Sequence, residues 1–351
     1  MDEFEAVGGI VGNSKARETF FANSRILDSK KISWSRGLLG TFCKGERLEK
    51  DGNYQVAMHR PFCKEHFYFH SKIVEWPSLW GKIYPDAQYQ NLVIAVSVTS
   101  KKGFSVLMTD TIQDYDLVQH AQCFPMYIYE KVESNESAQL SFENMTEGET
   151  TTWVKRNSIT DAILAKFKSI YGDKVTKEEI FYYVYAVLQS SQYNELYKEN
   201  LAKEMPRIPM LAHFPKYVKI GRALADLHLH YEKPVTAAEI GVIVDMRTED
   251  YTIVDKMRFG KGKDKSIIEY NPYITIRDIP AAAYDYIVNG KSAIEWIVEQ
   301  YAVTTDKASG IVNDPNTYAG GKYVFDLLLS IISVSLKTQE LIAQLPEYKE
   351  I

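Results

Sequence analysis

Apolar residues in the first third of the chain come in short runs broken by turn formers. Asn91-Leu92-Val93-Ile94-Ala95-Val96-Ser97-Val98 is β-branched with polar flanks, which predicts a buried strand. Residues 104–108 predict a second strand, with Lys101-Lys102-Gly103 as a hairpin-like turn. Residues 123–129 form a third run, and Pro125 within it, having no N–H to donate, predicts an edge strand or extended segment. From 130 to 152 the pattern stops. Glu133, Glu136, Glu143, Glu147 and Glu149 stand among Ser, Asn, Gly and Thr, which reads as a solvated acidic linker or long loop.

The middle of the chain changes period. Apolar positions 159, 163, 164, 167 and 170 share one helix face, and Gly172 ends it. Thr176-Lys177-Glu178-Glu179 is a capping box opening a helix toward Gln189. Further helices are expected near 193–204, ending before Pro206, and over 216–229. Thr236 to Glu239 is a second capping box, followed by Val242-Ile243-Val244, as much strand as helix. Strands are expected at 251–254 and 266–270 on either side of a loop, Arg258-Phe259-Gly260-Lys261-Gly262-Lys263-Asp264-Lys265. Helices follow at 281–288 and 293–300, a turn at 313–316, and a final helix over 323–345. The fold class expected is α+β: a β-rich part over 1–130, a linker over 131–155, and a helical and mixed part over 156–351.

Composition narrows the classes. Of 351 residues, 45% are hydrophobic and 13% aromatic, enough for a full core in two domains or one large one. Lys+Arg is 41 against 46 Asp+Glu, a formal net charge of −5, so any polyanion must be met by a local patch rather than by bulk charge. Three cysteines without a CxxC pair exclude a disulfide scaffold and a four-cysteine zinc site, and the expected compartment is a reducing cytoplasm. The acidic start Met1-Asp2-Glu3-Phe4 lacks an apolar stretch, so no signal peptide is expected. The longest apolar run, 324–336, is too short and polar to span a bilayer.

Catalytic motifs fail on inspection. Asn289-Gly290-Lys291-Ser292 matches the end of a phosphate loop, but Asp285 stands where the first glycine belongs. It reads as a turn with Ser292 capping the next helix. Gly8-Gly9-Ile10-Val11-Gly12 lacks a strand–GxGxxG–helix context, and Asn271-Pro272-Tyr273 has one proline where an amino-methyltransferase motif needs two. His66 and His70 have no acid between them as HExxH requires, and alternating Phe67, Tyr68 and Phe69 argues strand. No catalytic residue, cofactor site or metal site is assigned.

What remains is charge. Lys44 and Arg47 belong to a basic stretch over 30–50, and Lys101 and Lys102 sit on a turn. Lys216, Lys219 and Arg222, three apart, share one helix face. Lys256, Arg258, Lys261, Lys263 and Lys265 stand against a single acid, Asp264. Each cluster alone fits a solvated surface; together, on an acidic chain, they fit one basic face for a polyanion. In an extended arm Lys261, Lys263 and Lys265 would point one way, toward phosphates, with Arg258 a candidate for a guanine edge; the rival is a mobile solvated hairpin.

Several strings then resemble one family. His59-Arg60-Pro61-Phe62-Cys63-Lys64, followed by Phe67-Tyr68-Phe69, resembles the RPFxK…YF signature of Type ISP restriction–modification enzymes. Ile32-Ser33-Trp34-Ser35-Arg36 is similar to a K-W-S-R element, and residues 91–94, 104–108 and 122–127 to the family's central strands. Ile180-Phe181-Tyr182-Tyr183-Val184-Tyr185-Ala186-Val187-Leu188, Glu204-Met205-Pro206-Arg207-Ile208-Pro209, Ser292-Ala293-Ile294-Glu295-Trp296 and Ser309-Gly310-Ile311-Val312-Asn313-Asp314-Pro315-Asn316 complete a match running from about residue 25.

The resemblance implies a target recognition domain for double-stranded DNA, without catalysis of its own. S-adenosylmethionine, ATP and Mg would belong to the methyltransferase, helicase-like and nuclease parts of a parent enzyme. Arg60 and Lys64 are the signature residues with binding chemistry; Phe62 and the aromatic helix 181–188 read as core. The alternative is a docking module that binds DNA only jointly with an N6-adenine methyltransferase domain.

Overall fold

The short β-branched runs of the first third fold into small sheets. In the computed structural model, residues 35–43, 52–70, 72–98, 102–132, 152–247, 252–307, 309–317 and 321–351 are described. After a helix at Arg36–Cys43, strands β1 (Asn53–Arg60) and β2 (Cys63–Phe69) pair antiparallel. Next come β3 (Val93–Val96), β4 (Val106–Thr109), β5 (Ile112–Gln113) and β6 (Gln122–Pro125). One sheet has the order β2-β1-β5, with β5 parallel to β1; another has the order β4-β3-β6. Proline-bearing β6 takes the edge, as expected. The apolar run 123–129 divides at buried Met126, whose N–H donates to the Leu92 carbonyl at 2.7 Å. Beyond it β7 (Tyr127–Val132) pairs with β8 (Thr152–Asn157) in a separate ribbon. The ends of the stretch read as linker are therefore strand, because Trp153 and Val154 pair across to Lys131 and Glu130. Residues 133–151 lie outside the described residues.

β3 is apolar at every position because it is buried on both faces. Ala95 and Leu107 face one core, with Ile268, Tyr270, Ile274 and Ile276 and the helix that holds Leu327 to Val334. Ile94, Val96, Val106 and Met108 face another, with the middle helices. Both cores draw on residues from before and after the stretch read as linker.

The middle helices follow the local signals. Thr160 caps Asp161–Tyr171, which ends at Gly172 with φ +100°. Thr176 and Glu179 form the expected capping box of Lys177–Gln189. The helix expected at 193–204 is two short ones, Ser191–Leu196 and Lys198–Leu201. Helix Phe214–Leu229 crosses Lys177–Gln189 at Gly221, where a Cβ would come within 2.0 Å of the Tyr182 carbonyl oxygen. Buried tyrosines tie down the strap that follows Pro206: the Tyr183 hydroxyl donates to the Pro209 carbonyl and accepts from the Leu211 N–H, and the Tyr193 hydroxyl donates to the Arg207 carbonyl.

The second half adds β9 (Ile243–Met246), β10 (Arg258–Gly260), β11 (Asp264–Asn271) and β12 (Ile274–Arg277), an antiparallel sheet in the order β10-β11-β12-β9. Two expectations fail here. Residues 252–254 are not strand, because side-chain amides replace a ladder: Asn316 bonds both the N–H and the carbonyl of Val254, and Asn271 donates to the Ile253 carbonyl. Residues 281–288 are not an α-helix. A 3₁₀ turn, Ala281–Tyr284, leads into β13 (Ile287–Val288), which pairs with β14 (Lys291–Ser292). Asn289 and Gly290 join them with φ +51° and +79°, the two left-handed positions of a hairpin turn. The turn read at Asn289-Gly290-Lys291-Ser292 is real, and Ser292 with Glu295 forms a capping box on Ala293–Gln300. The last helix is Tyr323–Ala343, with Leu327, Leu328, Ile331 and Ile332 fully buried, and Glu350 beyond it bridges back to Leu211.

Candidate nucleic-acid interface

The signature around Arg60 is a hairpin corner built on one buried ring. Phe62 turns the chain at φ +62° and is wholly buried, edge-on to Tyr231 at 5.3 Å and Tyr286 at 6.2 Å. Its carbonyl accepts from the Tyr301 hydroxyl at 3.1 Å. A non-glycine residue held at positive φ costs on the order of 1–3 kcal/mol, so the packing of Phe62 must exceed that strain.

The two cations flanking Phe62 point out of this corner into carboxylates. Arg60 Nη1 lies 3.2 Å from Asp114, which also takes His59 Nδ1 at 3.2 Å. The hydrogen bond to Asp114 raises the His59 pKa above its ordinary value. Burial pulls Asp114 up, but the bonds from His59 and the Asp116 N–H and the charge of Arg60 outweigh it, leaving that carboxyl below the usual range. Lys64 Nζ sits 2.6 Å from Glu232 and 5.0 Å from the Tyr231 ring centroid, while Glu232 also accepts from the Tyr323 hydroxyl. Asp114 and Glu232 lie far along the chain from the cations they hold, and nothing in the local sequence marks them as partners.

The other cations differ in how far they are committed. Lys216 and Lys219 lie on the solvent face of Phe214–Leu229 and form no ion pair among the described residues; Arg222 on the same face pairs with Glu178 and covers the Tyr182 ring. Lys256, Arg258, Lys261 and Lys263 are exposed and likewise form no ion pair among the described residues. The extended arm is not observed. Arg258 is on β10, residues 261–263 are a tight turn, and Gly262 and Lys263 adopt φ +75° and +66°. The strands run on to Gly260 and Asp264, so only Lys261 and Lys263 occupy the tip. Lys265, on β11, turns away to Glu295 at 2.9 Å and lies over the Tyr284 ring. Lys102 packs on the hairpin turn at Gly290, so Lys102 and Lys265 meet opposite ends of one segment, Gly290 to Glu295. Lys44, Arg47 and Lys101 lie outside the described residues.

The described residues hold no group of three or more His, Cys, Asp or Glu able to bind a metal ion. They also hold no helix long and apolar enough to cross a membrane. Burial raises the thiol pKa of Cys63 to about 11 and of Cys123 to about 12, which keeps both protonated. The aromatic helix is core, with Tyr183 and Tyr185 fully buried.

The family model of the Type ISP C-terminal specificity domain matches residues 11–327. This chain belongs to that family. The specificity domain superposes on an ATP-dependent Type ISP restriction–modification enzyme, LlaBIII, bound to DNA, with a TM-score of 0.81 and 36% identity over 96% of this chain. It superposes equally on a nuclease-deletion mutant of the Type ISP enzyme LlaGI in complex with a DNA substrate mimic, with a TM-score of 0.80 and 34% identity over 100% of the chain. A DrdV–DNA complex matches at 0.72 and 26% over 95%. The specificity domain spans 21%, 25% and 33% of those three chains. No curated protein matches it.

Proposed function

We propose that this specificity domain recognises a short sequence in double-stranded DNA and performs no chemistry itself. The observation that carries the reading is its likeness, over nearly its whole length, to Type ISP enzymes solved with DNA. The cation geometry supports it. Lys216, Lys219, Lys256, Lys261 and Lys263 are exposed and form no ion pair among the described residues, and so are suited to phosphates, which any duplex offers. Arg258 is exposed on β10, at the edge of its sheet, where a fork of donors can address a guanine edge. Arg60 and Lys64, held by Asp114 and Glu232, reach DNA only by sharing or exchanging those partners. S-adenosylmethionine, ATP and Mg fall to other parts of a parent enzyme, together with the methyltransferase and helicase-like domains this chain would serve.

A second reading, in which the domain mainly docks on a methyltransferase and binds DNA only jointly, is favoured by the small share of the relatives' length that it spans. Titration of the purified chain with labelled duplex separates the two. Binding above a buffer control supports recognition by this chain, and no binding supports docking. Incubation with S-adenosylmethionine, ATP, magnesium and DNA is expected to give no methylation, hydrolysis or cleavage; turnover that copurifies with the chain overturns the non-catalytic reading.

A further inference from the structure

The loop entering the short helix Trp80–Ile83 and the loop after β5 together line a groove of about 360 Å³. That falls within the size range of small-ligand sites, roughly 300–1,000 Å³. Trp76 and Tyr115 stand at it with 90% and 63% of their surfaces exposed, large aromatic faces offered to solvent. The Tyr115 ring is set by a tilted contact with His120, at 5.2 Å between centroids. Both loops carry non-glycine residues in the left-handed region: Trp76, Ser78, Gln119 and His120 at φ +59°, +49°, +41° and +56°. Backbone held this way in two adjoining loops marks a surface fixed for a task other than packing.

The groove also has an unsatisfied buried group. Gln113 lines it at 4% exposure; its Oε1 accepts from the Cys123 thiol at 2.9 Å, while its Nε2 has no hydrogen-bond partner. A buried amide donor left unpaired is costly; Nε2 is closed off from solvent, so the side chain must turn toward the groove for an acceptor on a ligand to relieve it. Asp114, beside Gln113, is ion-paired with Arg60 and bonded to His59, which offsets its repulsion toward a polyanion.

A flat, π-faced ligand with acceptor atoms on its edge answers all of these features. We propose that the groove takes one nucleobase unstacked from the bound DNA, laid against Trp76 and Tyr115 and read at its edge by Gln113. The proposal rests on the DNA-recognition reading above. A protein segment is a poorer fit, because protein-docking surfaces are broader and close over their buried polar groups.

The test uses the whole chain and a duplex enriched by it from a random pool, with single mismatches placed in turn along the site. Removing a base's pairing lowers the cost of extruding it, so one mismatch should strengthen binding, by roughly tenfold. Trp76→Ala or Tyr115→Ala should weaken binding to the matched duplex by roughly ten- to a hundredfold, abolish that gain, and leave the melting temperature unchanged, since both side chains are exposed. A wild-type chain that binds the duplex but gains from no mismatch overturns the base site while leaving DNA recognition standing. Variants that bind like wild type also overturn it, and this is the result expected if the groove docks another protein segment. A chain that binds no duplex fails at the earlier reading and takes this one with it.

Discussion

His228 Nδ1 lies 2.5 Å from the hydroxyl of Tyr185, at the centre of the fold and joining two helices. The roles in this network are fixed by its neighbours. The Tyr185 oxygen accepts from the Met108 N–H and from Gln189 Nε2, so its own proton goes to His228. His228 Nε2 then carries hydrogen and donates to Thr338 Oγ1, which donates to the Val334 carbonyl. Every member of the chain is satisfied only while the imidazole is neutral. Burial accordingly lowers the His228 pKa to about 3.

Acid stability follows from that depression. The unfolded chain takes up the His228 proton near the ordinary value of about 6.5, whereas the folded chain resists it until about pH 3. Stability from this group is therefore complete above pH 6.5 and falls as pH drops toward 3, by at most about 1.4 kcal/mol per unit. His228→Gln should be less stable at pH 7 but lose less between pH 6 and 4, read as the urea midpoint against pH. Equal slopes for the two proteins would remove His228 as the acid-sensitive group.

Phe62 holds the Arg60 corner to the core. Phe62→Ala deletes the ring between Tyr231 and Tyr286 and leaves a β-carbon at φ +62°, so unfolding free energy should fall by about 3–5 kcal/mol. A loss under 1 kcal/mol in denaturant titration would mean the corner is held by something else.

Gly221→Ala tests the helix crossing. The added methyl would sit 2.0 Å from the Tyr182 carbonyl oxygen, which is backbone and has no room to retreat. A loss of about 1–3 kcal/mol or more is expected, despite alanine's better helix propensity. A raised melting temperature would contradict the close approach.

How much of this was legible in the sequence depended on distance along the chain. The capping residues Thr176, Thr236 and Ser292 act three positions away; Thr176 and Ser292 cap the helices expected of them, and Thr236, after which helix and strand were both open, caps a four-residue helix, Ala237–Ile240, ahead of β9. Residues 251–254 misled because β-branched composition signals a buried extended segment without saying what bonds its backbone; the answer, Asn316, lies 62 residues from Val254. Residues 281–288 misled because Asn289-Gly290 makes a two-residue hairpin turn, which draws Ile287 and Val288 into a strand. The candidate site divides in the same way. Arg60, Lys64 and the cluster 256–265 could be read from local strings, whereas Asp114, Glu232 and Glu295, which determine how available the cations are, are brought in by the fold. Trp76 and Tyr115 carried no local signal at all.

The hairpin tip separates DNA binding from ion pairing. Lys261→Ala with Lys263→Ala should weaken specific and random duplexes alike and flatten the log–log salt dependence by about 0.9 for each phosphate no longer neutralised. Lys265→Ala, which removes the partner of Glu295, should leave that slope unchanged. An unaltered slope in the double variant would make the tip plain surface.

Arg258 is expected to act on discrimination rather than on affinity for DNA in general. Arg258→Ala should narrow the gap between the preferred and random duplexes by about 1–3 kcal/mol. A uniform loss across sequences would place Arg258 on a phosphate instead.

Sequence recognition by this chain alone is tested most directly by selection. The purified chain is incubated with a pool of random duplexes at near-physiological salt, bound DNA is recovered and amplified over several rounds, and the products are sequenced. One short motif should be enriched, and its affinity should exceed that of the starting pool by roughly a thousandfold or more. A pool that stays random through every round would contradict a specificity module that reads DNA by itself.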